Sequence, residues 1–162
     1  MTSGVAVLAG GSVLTWLYRR NPPWDGPYDL IPDPKGILDL PHGFSYHAVE
    51  RSGEPMTDGH QMPPLPDGMG CFSASDGTWV LMRNHEIHAG LPADSSLAYD
   101  GKRGGGVSRV VVDPHSGQRL ASNMVLTGTS RNCAGGVTPR GWLSCEEIDE
   151  PDHGYVFLCD PA

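Results

Sequence analysis

Basic residues are scarce in this 162-residue sequence. Lysine and arginine number 11 together, against 19 aspartates and glutamates, which gives a formal net charge of −8. Without a basic stripe, the chain has no means of displacing the counterions of DNA or RNA. This composition argues against nucleic acid as a partner and is typical of a protein that offers carboxylates to cations.

Paired cysteines and long apolar runs are also missing. The four cysteines form no CxxC pair and no tight zinc spacing, so they do not identify the redox compartment. The apolar stretch over residues 4–17 is too short for a stable membrane span, although it is long enough for the apolar part of an export signal. The pair Arg19-Arg20 follows this stretch, whereas an export signal carries its positive charge before it. Residues 1–28 are therefore either the remnant of an export signal or a helix that leads into a domain over 29–162.

Glycine and proline, by contrast, are abundant, with 22 and 15 residues. Short apolar runs interrupted by glycine and proline turns are typical of an all-β protein. Five prolines between residues 22 and 34 exclude a continuous helix there and predict an extended N-terminal arm over 21–43. A first strand is predicted over 44–49, where apolar and polar residues alternate.

Three strand pairs follow. The turn Ser75-Asp76-Gly77 predicts a hairpin between residues 69–73 and 78–83, because Asp-Gly favours a tight turn. A second hairpin is predicted from 106–113 and 119–126, and a third pair from 142–146 and 154–159. Four strands followed by a new set is the spacing of β-propeller blades of roughly 40–50 residues.

The motif Asn84-His85-Glu86 comes at a predicted strand end, where rigid scaffolds present functional side chains. The histidines of HEIH lie three residues apart and no helical pattern surrounds them, so this is not the HExxH zinc motif. Metal or anion binding is one interpretation. A solvated loop with a hydrogen-bonded histidine is the other.

Cys133 is preceded by Arg131 and closely followed by Gly135 and Gly136. The glycines allow close approach of a bound group or a sharp turn that exposes the thiol. The arginine and the loop amides predict a lowered thiol pKa, which suits a metal ligand or a nucleophile. A nucleophilic cysteine needs a histidine base, for which His85 and His88 are the candidates. A buried structural cysteine is the alternative.

Two adjacent carboxylates, Glu146 and Glu147, end the predicted strand that begins at Trp142. Neighbouring residues on a strand point to opposite faces, so only one of them should face a given set of ligands. Carboxylates suit hard cations such as calcium. The acidic run over 146–152 also fits a solvated loop.

The motifs NHE (84–86), TSRNCAGG (129–136) and CEE (145–147) occur in this order, among the segments 38–59, 63–72, 105–114 and 153–157. Together they closely resemble the N-terminal part of PhoX-type alkaline phosphatases. The resemblance runs from residue 30 onward. It implies the N-terminal blades of a six-bladed β-propeller that is exported to the periplasm or the cell exterior and is a monomer at full length. It implies hydrolysis of small phosphomonoesters, and in some members diesters, with Fe(III) and Ca²⁺ as cofactors.

The same resemblance assigns roles to individual residues. It implies that Cys133 is an iron ligand and that Glu86 and Glu147 are carboxylate ligands. The chain has one residue fewer than the family pattern before Trp142, so Glu146 stays a second candidate. Arg131 and Asn132 are candidate catalytic residues because they adjoin Cys133 and are placed to orient the site or the phosphate.

A propeller site is assembled from several blades, and fewer than two are expected here. The chain therefore looks truncated, and residues 1–162 alone are expected to be inactive on a chromogenic phosphate ester. Two other functions stay open: a catalytically silent binding or scaffold module, and a different metal-dependent hydrolase of the lactonase or phytase type. Iron and calcium in the protein would argue against the scaffold.

Overall fold

A computed structural model of the chain describes residues 29–162, so both interpretations of residues 1–28 lie outside the described residues. The described part contains nine β-strands, one 3₁₀ turn (Ser95–Leu97) and no α-helix. No helix in it is long and apolar enough to cross a membrane. The all-β class predicted from the sequence is confirmed. Contact density divides the chain after Tyr46, and His47–Ala162 forms the larger compact unit.

In the smaller unit, strands β1 (Leu30–Ile31) and β2 (Leu40–Pro41) pair antiparallel. The carboxylate of Asp33 accepts the backbone N–H groups of Lys35, Ile37 and Leu38 and so closes the turn between them. The exclusion of a helix holds for the described part of the proline-rich arm. The prediction of an extended conformation is wrong there, because Asp33 gathers these N–H groups and folds the chain back.

The strand predicted over 44–49 is also wrong. This segment has no regular structure, and the Phe44 side chain is 68% exposed. The Phe44 N–H donates to the carbonyl of Pro41 in a turn. The Tyr46 hydroxyl donates to Asp33. The alternation of apolar and polar residues therefore produces no strand, because no neighbouring strand pairs with it among the described residues.

The larger unit begins with a four-stranded antiparallel sheet whose strands neighbour one another in chain order. They are β3 (Pro66–Ser73), β4 (Trp79–His85), β5 (Gly105–Val112) and β6 (Arg119–Thr129). The turn between β3 and β4 places Gly77 at φ 86°, a left-handed conformation that glycine adopts without strain. The first two predicted hairpins are confirmed.

A second antiparallel sheet contains β7 (Asn132–Thr138), β8 (Gly141–Glu146) and β9 (Val156–Cys159). The predicted pair β8–β9 is confirmed, but β7 was not predicted because glycines are poor strand formers. Gly135 is needed there: a Cβ at this position would overlap the Trp142 ring and the carbonyl of Leu143.

Two apolar clusters lie on opposite faces of the four-stranded sheet. The first is under the segment before β3 and contains Met56, Met62, Val110, Val112 and Met124. The second joins the two sheets and contains Val80, Met82, Val107, Trp142 and Cys159. Full burial of such a side chain stabilises the fold by roughly 1.5–3 kcal/mol. The second cluster therefore holds β8 and β9 firmly against the first sheet.

Candidate metal site

Four strand ends meet at one edge of the two packed sheets. Asp67 lies at the start of β3, and Glu86 directly follows β4, whose end pairs with that start. Cys133 lies at the start of β7, and Glu147 directly follows β8, whose end pairs with the start of β7. Antiparallel pairing thus brings each carboxylate or thiol next to its partner across the hairpin.

The donor atoms of this group are close together. One ligand atom each from Asp67, Glu86 and Cys133 lies within 4.8 Å of the other two. The Cys133 thiol also hydrogen-bonds the carboxylates of Glu147 and Asp67. Glu86 and Cys133 are half-buried, whereas Asp67 and Glu147 are exposed, so solvent reaches the group from one side. We call Asp67, Glu86, Cys133 and Glu147 the acidic thiol cluster.

The pKa of Cys133 is raised to about 11. Desolvation is the largest cause, followed by the hydrogen bond to Glu147 and the negative charge of Asp67. The sequence prediction of a lowered pKa is therefore wrong, because carboxylates and not the arginine surround the sulfur. An uncoordinated thiol in this environment stays protonated at neutral pH, which disfavours a role as a free nucleophile.

The donor set fits a multivalent cation. Within residues 29–162, none of the three cluster carboxylates forms an ion pair with a lysine, arginine or histidine. A bound cation would offset their charge and would deprotonate the thiol. Carboxylate oxygens suit hard cations, and a thiolate adds affinity for softer transition metals.

Strand alternation explains the motif Asn84-His85-Glu86. Asn84 faces the second sheet and is fully buried. Its Nδ2 donates to the carbonyls of Cys133 (3.0 Å) and Ala134 (2.9 Å), and its Oδ1 accepts from Trp142 Nε1 at 2.8 Å. The hydrogen bonds of Asn84 therefore link β4, which precedes Glu86, to β7, which contains Cys133.

His85 points to the opposite face of β4. Its Nδ1 lies 3.0 Å from the Pro64 carbonyl, and its Nε2 lies 2.9 Å from Ser108 Oγ. Burial lowers the pKa of His85 to about 4. His88 is engaged elsewhere, with Nδ1 3.2 Å from Ser130 Oγ. Both histidines had been candidates for a base that activates Cys133, and the structure gives neither of them a hydrogen bond to that thiol.

Glu146 lies apart from the acidic thiol cluster, on the buried face of β8. Its carboxylate accepts hydrogen bonds from Ser130 N (2.7 Å), His153 Nδ1 (2.9 Å), Gly154 N (2.8 Å) and Tyr155 N (3.1 Å). Both of its oxygens are occupied by protein donors. Of the two adjacent glutamates, Glu147 is the one on the side of Cys133.

The two candidate catalytic residues differ sharply. Asn132 is fully buried; it pairs with Thr129 Oγ1 and donates to Ser144 Oγ at 2.8 Å. It is placed to orient the loop before Cys133 and has no atom with which to touch a substrate. Arg131 is exposed and adopts φ 50°, which turns the chain from β6 into β7. Its guanidinium stays accessible to a ligand.

Comparison with known families now adds to this geometry. A family model described as alkaline phosphatase PhoX matches residues 27–120. The chain belongs to the PhoX alkaline phosphatase family. No curated protein and no solved structure matches it. Membership confirms the resemblance found in the sequence, and it supports a phosphatase-type hydrolase in a metal-dependent family.

The PhoX family match covers Asp67 and Glu86, whereas Cys133 and Glu147 lie beyond it. Asp67 was not singled out from the sequence. The pair Asp67-Gly68 at the start of a strand could have indicated that Asp67 is a site residue. A Cβ on Gly68 would overlap the carbonyl oxygen of Cys133, so glycine is required for β3 to approach β7 this closely.

Gly68→Ala is therefore expected to destabilise this PhoX family protein by about 1–3 kcal/mol, the usual cost of overpacking. The Cys133 carbonyl would have to move and would lose its hydrogen bond from Asn84. Urea denaturation followed by circular dichroism measures the effect. The matched control is Gly136→Ala on β7, because no atom lies within 4 Å of a Cβ there. Equal midpoints for Gly68→Ala and wild type would refute the close approach.

Proposed function

We propose that this chain supplies one part of the iron–calcium centre of an alkaline phosphatase that hydrolyses phosphomonoesters and also accepts diesters. The observation that carries the proposal is the convergence of Asp67, Glu86 and Cys133 within 4.8 Å in a chain of the PhoX family. Strand ends of two sheets supply these donors, so a rigid scaffold fixes the site.

Each member of the acidic thiol cluster has a proposed role. Cys133 is the iron ligand, because a thiolate favours a transition metal over calcium. Glu86, Glu147 and Asp67 supply the oxygen ligands that iron and calcium both accept. We prefer Glu147 to Glu146 because protein donors already occupy both oxygens of Glu146.

When bound, the metals would offset the charge of the phosphate, polarise the phosphoryl oxygen and lower the pKa of water. The protein's own residues hold the site in shape. Asn84 fixes the backbone of Cys133 and Ala134, and Asn132 fixes the loop that precedes them. The exposed guanidinium of Arg131 is proposed to bind phosphate oxygens, since its planar fork matches their geometry.

The two sheets support a propeller architecture. The first is an antiparallel sheet of four strands in chain order, as in a propeller blade, and the second begins a similar meander. We propose that β3–β6 form one blade and that β7–β9 belong to the next. An exported monomer that acts on small phosphate esters, in the periplasm or outside the cell, is the setting we propose from family membership.

Metal analysis of the native gene product tests the function. We expect iron and calcium to stay bound through gel filtration, and p-nitrophenyl phosphate hydrolysis to fall at least tenfold after chelation and to return when calcium is added. Elemental analysis and a steady-state assay measure the two effects. Neither metal in the protein would favour the scaffold function. Both metals with hydrolysis of lactones or phytate, and none of simple phosphate esters, would favour the other hydrolases.

A further inference from the structure

The buried carboxylate of Glu146 connects two loops. One oxygen accepts from the backbone of Ser130, just before β7, and the other accepts from the backbone N–H groups of Gly154 and Tyr155, just before β9. The side chain of Glu146 has no exposed surface. A charge placed there requires full hydrogen bonding, and these donors supply it.

The two loops that Glu146 connects adjoin or contain members of the acidic thiol cluster. Ser130 lies three residues before Cys133, and Glu147 directly follows Glu146. The Glu147 N–H donates to the Arg131 carbonyl at 2.9 Å, in the same short stretch. A shift of the Glu146 carboxylate would therefore move both Cys133 and Glu147.

His153 completes the set of donors. Its Nδ1 lies 2.9 Å from Glu146 Oε1, and a carboxylate can only accept, so Nδ1 carries the proton. Its Nε2 lies 3.4 Å from Asp100 Oδ2. The side chain is only 4% exposed, so His153 cannot touch a substrate.

A second loop supports His153 from behind. The ring of Tyr99 packs edge-on against His153 with centroids 5.8 Å apart. Its hydroxyl donates to the Asp152 carbonyl at 2.9 Å. The backbone N–H groups of Tyr99 and Asp100 donate to the edge of β6, at Thr127 and Gly128. Tyr99 and Asp100 thus fix the position of His153 relative to the rigid four-stranded sheet.

We propose that Glu146 and His153 are positioning residues that hold Cys133 and Glu147 at the spacing required to share a metal ion. The inference rests on the proposed function, because it presupposes a metal in the acidic thiol cluster. Glu146 acts through hydrogen bonds to the loops and His153 acts through Glu146. Hydrogen-bonded partners of this kind tune metal affinity by about 10–100-fold.

Cobalt(II) titration of the 162-residue chain tests the proposal, with the thiolate-to-cobalt absorption as the signal. His153→Ala is expected to weaken cobalt binding by about tenfold or more. His153→Asn should restore most of the affinity, because its side-chain amide places a donor near the position of Nδ1. Glu146→Gln should resemble His153→Ala, since an amide nitrogen would face backbone donors.

Three controls make the outcomes distinct. His115→Ala alters an exposed turn histidine and should bind cobalt like wild type. Val112→Ala weakens the cluster on the far face of the sheet and shows whether lost stability alone reduces affinity. Circular dichroism confirms that each variant is folded. If Cys133→Ser abolishes the cobalt signal but His153→Ala and Glu146→Gln both titrate like wild type, the positioning role is overturned and the metal site stands. If Cys133→Ser leaves the signal unchanged, the metal site itself is wrong.

Discussion

Asn84→Ala is expected to lower the free energy of unfolding by about 3–5 kcal/mol, because each buried polar group left without a partner costs about 1–3 kcal/mol. The substitution would remove the hydrogen-bond partner of the Trp142 indole N–H and of the Cys133 and Ala134 carbonyls. It would also release the contact that seats β7 against β4. Urea denaturation monitored by circular dichroism gives the change in midpoint.

Two variants sharpen this expectation. Asn84→Asp keeps the shape of the side chain, but the oxygen that replaces Nδ2 would face two carbonyl oxygens, so this variant should be at least as damaging as alanine. Asn123→Ala on β6 is the matched control. Asn123 is only half-buried and makes one side-chain hydrogen bond, to the Met124 carbonyl, so its loss should cost under about 1 kcal/mol. Similar costs for Asn84→Ala and Asn123→Ala would show that Asn84 does not tie the sheets together.

Local patterns in the sequence were sufficient to predict the hairpins. They wrongly predicted a strand over 44–49 and gave no sign of β7. The turn at Gly77 predicted its hairpin because a two-strand connection is encoded within a few residues. The alternation over 44–49 predicted a strand that does not form, since a pattern on one segment says nothing about the presence of a pairing partner. β7 was missed because its glycine at 135 argues against a strand. The Trp142 ring leaves no room for a Cβ at this position, and that contact is made across the hairpin.

In the candidate site, too, local motifs predicted some residues, whereas others depend on contacts between segments distant in sequence. The motifs and the family resemblance predicted Cys133, Glu86 and Glu147 as ligands, and strand alternation predicted that only one of the two adjacent glutamates would face a given set of ligands. The choice between the two depended on donors at Ser130 and His153, which lie far from each other in sequence. Asp67 joins the cluster only through the packing of β3 on β7, an arrangement that no local pattern encodes.

The second large effect is expected at Cys133. Cys133→Ser in the native gene product should reduce bound iron at least tenfold, since a neutral hydroxyl replaces the thiolate ligand. Stability without metal should change little, because the thiol is half-buried and its bonds to Glu147 and Asp67 can be replaced by a hydroxyl. Elemental analysis and thermal unfolding measure the two quantities.

The matched control is Cys71→Ser, an exposed cysteine on β3 that lies outside the acidic thiol cluster. It should retain wild-type iron and phosphatase activity.

Glu147→Gln is expected to have opposite effects on stability and on metal affinity. It removes one of three neighbouring negative charges, so the metal-free protein should gain roughly half a kcal/mol while metal affinity falls. A site built for a cation is expected to show this trade between stability without metal and affinity for it. Iron retained in full by Cys133→Ser would instead make Cys133 a structural residue.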